Sequence, residues 1–433
     1  AYYLTASYRR DGASVFGADN KWGNFYAFGG AWRVTHEKFM EKVRFLNDLK
    51  LKLSWGRNGN QGIDPYGTLS EAVIGPGGGI AYPFGNSTVP SFGIKQNSLG
   101  NSGLGWETTN SWNFGFESAW LNNRLFVNMD VYLSRTTDQI FNRTIPSMTG
   151  FDSMKSTMGE VANRGVEFSI HSVNIENKDW RWDTNLTFWL NRNELVHLYG
   201  EDLDGDGRED DDLGNNLFIG HSIHSIYGYK VAGIVQKDDT EYIQANGATP
   251  GNPKYVDVDG NGTIGVEDRT ILGTSDPRFK MSLSNTLSWK NFELYFMLTG
   301  TFGGNGYYVS ENAPAFLAGG GGGGAYSNNM YIPYWTEERP SNKYPAANFS
   351  GDGRFKGLQS RAFVRLQDIT LSYTFNSAKI KNFGINNLRV FFTGKNLFTI
   401  TGWENGDPEL GNTILSSTYP ISTNLSLGAN ISF

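Results

Sequence analysis

The chain has 433 residues, enough for several small domains or one large barrel, yet only 39% of them are hydrophobic. No run approaches the roughly 18 to 20 consecutive apolar residues of a spanning helix, which argues against a helical membrane protein. The net charge of −6 argues against a nucleic-acid footprint, and the absence of cysteine removes disulfides and thiolate metal sites.

The first predicted element is a strand, Tyr2-Tyr-Leu-Thr-Ala-Ser-Tyr8, with no charged and apolar leader before it. The expectation is that a signal peptide has been removed or that the chain begins inside a larger protein. Leu49, Leu51, Leu53 and Trp55 then alternate with Lys50, Lys52, Ser54 and Gly56. Trp112, Phe114, Phe116 and Trp120 alternate with small or polar neighbours, and so do Leu125, Val127, Met129, Val131 and Leu133. Asn122-Asn123 between these two runs is a tight hairpin signal. Residues 185–192 continue the theme. Met281, Leu283, Leu287 and Trp289 lead through Lys290-Asn291 into Phe292, Leu294, Phe296 and Leu298. Runs at 369–375 and 388–398 follow. In the last strand Leu425, Leu427, Ala429, Ile431 and Phe433 share one face, because side chains alternate with a period of two. The pattern predicts about twelve strands of roughly ten residues, the length a tilted strand needs to cross a bilayer.

Short connections near 121–124, 176–179 and 290–291 alternate with long ones over about 58–105, 198–277, 302–360 and 400–421. That asymmetry, with 14% aromatic residues for interfacial girdles, predicts an all-β fold: a transmembrane antiparallel β-barrel with short periplasmic turns and long outer loops. The glycine run at Gly319–Gly324 reads as a low-complexity loop tip. It lacks the strand–turn–helix setting of a nucleotide site.

One motif carries chemistry. Residues 257–268 match the calcium loop of an EF-hand. Oxygen ligands come from Asp257, Asp259 and Asn261, Gly262 permits the sharp turn, Thr263 offers its backbone carbonyl, and Asp268 takes the twelfth position. A structural Ca²⁺ ion is expected there, in a long extracellular loop inserted in a barrel domain spanning 1–433. A second acidic stretch, residues 201–212, begins similarly but has Leu213 where the twelfth ligand belongs, and reads as a solvated loop. The five histidines form no H-E-x-x-H, and His221 and His224 read as a loop pair rather than a metal site. There is no P-loop and no G-x-S-x-G serine, so no enzyme is expected.

These residues together resemble the C-terminal portion of SusC/RagA-type TonB-linked outer-membrane transporters. The stretches that carry the resemblance run in order: residues 4–12, 49–53 with Gly59-Asn60-Gln61, 226–230, the calcium-like loop continuing to Gly273 and Asp276-Pro277, 365–373, and 394–398. The resemblance implies roughly the second half of a 22-stranded barrel, with the plug and the TonB-contacting segment outside this chain. It implies active import of a glycan or peptide beneath a SusD-type surface lipoprotein lid, energy relayed through TonB and the plug, and no covalent chemistry. Phe433, at the end of the outward row, would direct assembly at the lipid interface. The missing strands would come from another segment or chain, so Tyr2–Arg10 and Thr423–Phe433 should not pair with each other. Two alternatives remain at this point: a complete passive 12-stranded channel, and a secreted calcium-dependent binding or hydrolytic domain.

Overall fold

A computed structural model describes residues 1–17, 19–74, 81–82, 91–151, 153–307, 333–349, 354–355, 357–375, 384–404, 407–409 and 421–433. The Gly319–Gly324 run lies outside them. Among the described residues, twelve strands form one antiparallel sheet in simple sequence order. They are β1 (Tyr2–Gly12), β2 (Trp22–Arg33), β3 (Leu46–Asn60), β4 (Glu107–Trp120), β5 (Leu125–Thr144) and β6 (Ser153–Glu176). There follow β7 (Trp180–His197), β8 (Phe279–Trp289), β9 (Phe292–Phe302), β10 (Phe363–Phe375), β11 (Asn387–Thr401) and β12 (Asn424–Ser432). The hydrogen-bonded order starts at β1 and ends at β12, and neither has a second neighbour among the described residues.

Turn chemistry fixes the hairpins. Leu121, Asn122 and Asn123 adopt φ of 54°, 58° and 62°, and Lys290 adopts 52°; these left-handed residues reverse the chain in the least space, with asparagine the best tolerated of non-glycine residues there. The strands exceed the expected ten residues in places. β5 has 20 residues and β6 has 24, about twice what one bilayer crossing requires. The alternation signal marks only the stretch with an apolar face, whereas the ladders run on into polar sequence.

The chain divides into two compact units, Ala1–Ser169 with Asn191–Ile223, and Ile170–Leu190 with His224–Phe433. In the first, register puts Phe28, Trp55, Trp112 and Leu133 in one row across four strands, and Gly30, Leu53 and Phe114 in the next. Leu53 is 50% exposed and Trp112 is 53% exposed. The opposite face of the same strands carries Lys50, Lys52, Glu117 and Asp130. In the second unit the row Trp182, Leu287, Leu294, Leu371, Phe392, Leu427 crosses six strands. Arg389, Glu293 and Ser372 lie on its other face.

Aromatic rows bracket the apolar face of the second unit. At the short-turn end Trp180, Trp289, Phe292 and Tyr373 stack with successive centroids 5.7, 6.1 and 4.7 Å apart. At the other end Phe188, Phe279 and Phe302 stack at 5.5 and 4.6 Å. Strand β9 joins the two rows with 11 residues, roughly 33 Å of strand, or about 25 Å of height at the usual tilt, which is the apolar band of an outer-membrane barrel. Enclosed apolar clusters are small. In the first unit Val161 of β6 and Leu195 of β7 pack with the loop residues Leu198 and Leu217; in the second, Ile234 packs with Trp335, and Tyr255 with Phe349 and Phe355, all in the connections between barrel strands. No described helix is long and apolar enough to cross a membrane.

Candidate functional site

The polar face of the sheet is built from cross-strand charge pairs. In the first unit Arg33 grips Asp48 with two bonds of 2.8 and 3.0 Å. Glu117 accepts from Lys52 at 3.0 Å and Lys50 at 3.4 Å, and Lys52 also reaches Asp130 at 3.4 Å. Tyr132 donates to Asn191, which donates to Asn163. In the second unit Arg389 pairs with Glu293 at 2.6 Å, Thr187 with Ser282 at 2.6 Å and Thr370 with Thr393 at 3.0 Å. A face with this density of charge requires water or polar contents beside it. Its groups can bind polar ligands by hydrogen bonds, and none of the arrangements is a nucleophile–base pair.

A loop strap lies over the same face of the second unit. Arg365 is only 4% exposed. Its guanidinium bonds Thr399 at 2.9 Å, Asp407 at 2.7 Å, and Glu409. Arg361 donates to the carbonyls of Pro408 and Glu409 at 2.9 and 2.5 Å. Sequence spacing gave no sign of this clamp, because its partners lie some forty residues downstream. The one available signal was an arginine at a polar-face position of an otherwise short-chained strand.

The acidic loop of the second unit is held by two small ladders. Ser225–Tyr229 pairs with Arg269–Thr274, and Val231–Ile234 pairs with Pro253–Tyr255. One continuous segment thus grips both flanks of residues 257–268. Helix α1 (Thr240–Asn246) adds a third anchor, since Asn246 Oδ1 accepts the Ile264 amide at 2.7 Å.

Within the loop the structure brings the predicted residues together. Asp257 accepts the amides of Gly260 and Gly262 at 2.6 and 2.8 Å. Asp259 accepts the Asn261 amide at 2.9 Å, and Asn261 accepts the Thr263 amide at 2.8 Å. Gly260 and Gly262 have φ of 77° and 88°, which only glycine adopts freely. Asp268, fully buried, accepts from Val258 at 2.6 Å and Gly265 at 2.7 Å. Those amides, Gly265 first, hold its carboxyl below the usual aspartate range against the opposing pull of burial. One oxygen from each of Asp257, Asp259 and Asp268 lies within 4.8 Å of the others. Three carboxylates this close repel one another, and their remaining lone pairs suit a hard cation with oxygen ligands.

The 201–212 loop is mostly exposed, as expected of a solvated loop, and it too groups three carboxylates. Asp202 accepts Gly205 and Gly207 at 2.7 and 3.0 Å, Asp204 accepts Asp206 at 3.0 Å, and Asp206 accepts Arg208 at 2.8 Å. The third carboxylate is Asp210, three positions earlier than the one sought at Leu213. It accepts Leu203 at 2.6 Å and groups with Asp202 and Asp204. Glu209 fastens the loop to β7: burial works to raise its carboxyl, but the amides of Gly200 and Leu198 and the His197 ring bring it below the usual glutamate range. Of the two loop histidines, His224 pairs with Asp276 at 2.8 Å, and neither joins a ligand cluster among the described residues.

A long antiparallel sheet with one apolar face, one charged face and aromatic rows at both ends of the apolar band defines a wall of an outer-membrane barrel. A profile of the family described as TonB dependent receptor-like, beta-barrel matches residues 1–397, and the chain belongs to that family. It is 32% identical to TonB-dependent receptor P26 of Formosa agariphila, over the whole of this chain and 44% of that protein. It is 31% identical to TonB-dependent receptor SusC of Bacteroides thetaiotaomicron, covering 42% of it. Among solved structures it is similar to the RagAB peptide transporter, with a TM-score of 0.78 and 27% identity over the whole chain and 46% of that one. The chain therefore spans less than half the length of these relatives. Its family consists of outer-membrane receptors, not enzymes, so the apolar face meets lipid. A secreted soluble domain is set aside.

Proposed function

We propose that this chain forms roughly the second half of the barrel of an outer-membrane nutrient importer, energised through TonB and capped by a SusD-type surface lipoprotein. The charged face of the sheet is the observation that carries this reading. Its paired Lys, Arg, Asp and Glu side chains line a wet path suited to an oligosaccharide or peptide, while the plug and remaining strands come from the rest of the protein. Among the described residues β1 and β12 each have a single strand neighbour; a partner strand for each supports that division, because an unpaired strand edge in hydrocarbon costs several kcal/mol per bare backbone group. The test is uptake of labelled oligosaccharide and labelled peptide by cells carrying the full-length protein. Uptake should stop when TonB or the lid lipoprotein is deleted. Uptake that persists without TonB would favour a passive channel.

The same proposal includes a structural Ca²⁺ held by Asp257, Asp259, Asn261, the Thr263 carbonyl and Asp268. The grouped carboxylates and the glycine-permitted turns support it. Calorimetry on the full-length protein should show calcium binding that the variant Asp257→Ala with Asp259→Ala loses, while barrel assembly stays near normal. No binding by the unaltered protein would sink the assignment.

A further inference from the structure

We propose that the lipid-facing side of β4 to β7 holds a phosphate-bearing lipid of the outer leaflet, a reading that rests on the membrane assignment of the apolar face. On β5 that face runs Val127, Met129, Val131, Leu133 and then changes to Arg135, opposite Asn110 of β4. The Tyr132–Asn191–Asn163 bonds occupy the polar face. Alternation therefore turns Arg192 of β7 and Arg164 of β6 to the lipid side. Three adjacent strands thus replace apolar residues with arginine past the apolar stretch that starts at the short turns, partway along each strand. The side of the band nearer the long loops faces the cell exterior in barrels of this kind.

The arginines rim a pocket of about 510 Å³ with Trp112, Leu133 and Val196 in its floor. Arg135 contacts Glu160 at 2.8 Å and Arg164 contacts Glu194 at 3.7 Å. Each guanidinium presents five donors, so one carboxylate leaves capacity for a second anion. Side chains of Arg135 and Arg164 are 61% and 68% exposed. Arg192 donates to the Asn191 carbonyl at 2.8 Å. The pocket lining holds three arginines and one glutamate, Glu194, so a phosphate is the complementary partner and a bidentate arginine contact its usual mode. A second groove of about 580 Å³ shares Trp112. It lies toward the apolar band, among Leu4, Phe28 and Leu53, where Gly30 leaves a hollow between its partners Leu4 and Leu53. The Trp112 indole thus borders both the headgroup pocket and the acyl groove.

The full-length protein reconstituted in phosphatidylcholine tests this with spin-labelled phosphatidic acid, whose immobilised fraction is compared with that of spin-labelled phosphatidylcholine. The unaltered protein should prefer phosphatidic acid. Arg135→Gln, Arg164→Gln and Arg192→Gln should each lower the preference about fivefold. The corresponding lysine variants should keep most of it, which separates charge from misfolding. Trp112→Ala should weaken both lipids, and Lys237→Gln, which is outside the pocket lining, should change nothing. Equal binding of the two lipids, or an unchanged preference in the triple glutamine variant, would overturn the proposal. Inorganic phosphate that displaced the labelled lipid at equal concentration would reassign the pocket to a free anion. Immobilisation of neither lipid would overturn the membrane assignment beneath it.

Discussion

The two faces of the sheet use the same strands and backbone ladders to opposite ends. Leu283 and Leu298 are cross-strand partners on one face, and Glu293 with Arg389 make an ion pair on the other. In the middle of the apolar band a polar atom has no water to turn to, so it needs a protein partner. Asn285, 6% exposed, accepts from the Trp182 indole at 2.8 Å and the Thr184 hydroxyl at 2.6 Å. On the polar face the pairs are half-exposed and several share partners. The lesson is that polar bonds on the lipid side secure folding, whereas polar bonds on the wet side set the chemistry of the path.

Three substitutions probe that contrast. The largest effect should come from Leu298→Arg, which places a charge near the middle of the apolar band between Leu283 and Leu366. A loss of roughly 2–4 kcal/mol in folding from urea into lipid is expected; a loss near zero would mean this face does not meet hydrocarbon. Next, Asn285→Leu should cost about 1–3 kcal/mol, because it strands the Trp182 and Thr184 donors in a site without water. The smallest should be Lys52→Met, since Glu117 keeps Lys50 beside water: under ~1 kcal/mol on stability, with the change felt in ligand uptake. A Lys52 variant that failed to assemble while Asn285→Leu behaved normally would reverse the comparison.

The loops sharpen it through pH. The Glu209 carboxyl lies lower in the folded loop than its ordinary value of 4.5. Its contribution is therefore fully present above that value and is lost as pH falls through the lowered folded one. Amide exchange at Leu198 and Gly200, corrected for the intrinsic pH dependence of exchange, should speed up only in that acid range. Glu209→Gln should remove the pH dependence. Retention of the pH dependence in that variant would assign it to another group.

Much of the sheet was legible because period-two alternation and turn residues are local signals. The Asn122-Asn123 and Lys290-Asn291 reversals, the Leu427 face and the grouping of Asp257, Asp259 and Asp268 follow from spacing alone. What spacing did not reach depends on long-range closure. Asp210 closes its loop eight positions after Asp202 where Asp268 closes eleven after Asp257. A twelve-position template therefore looks past it to Leu213. The Arg365 clamp joins segments that only the folded loop brings together. The lengths of β5 and β6 were underestimated because their outer portions lose the apolar face while keeping the backbone ladder.

The central claim, lipid on one face and water on the other, is tested most directly by cysteine scanning from Met281 to Trp289 in the full-length protein. This chain contains no cysteine of its own. Single cysteines at 281, 283, 285, 287 and 289 should resist a membrane-impermeant, water-soluble thiol reagent. Those at 282, 284, 286 and 288 should react. Reactivity that ignored parity along the strand would contradict the account.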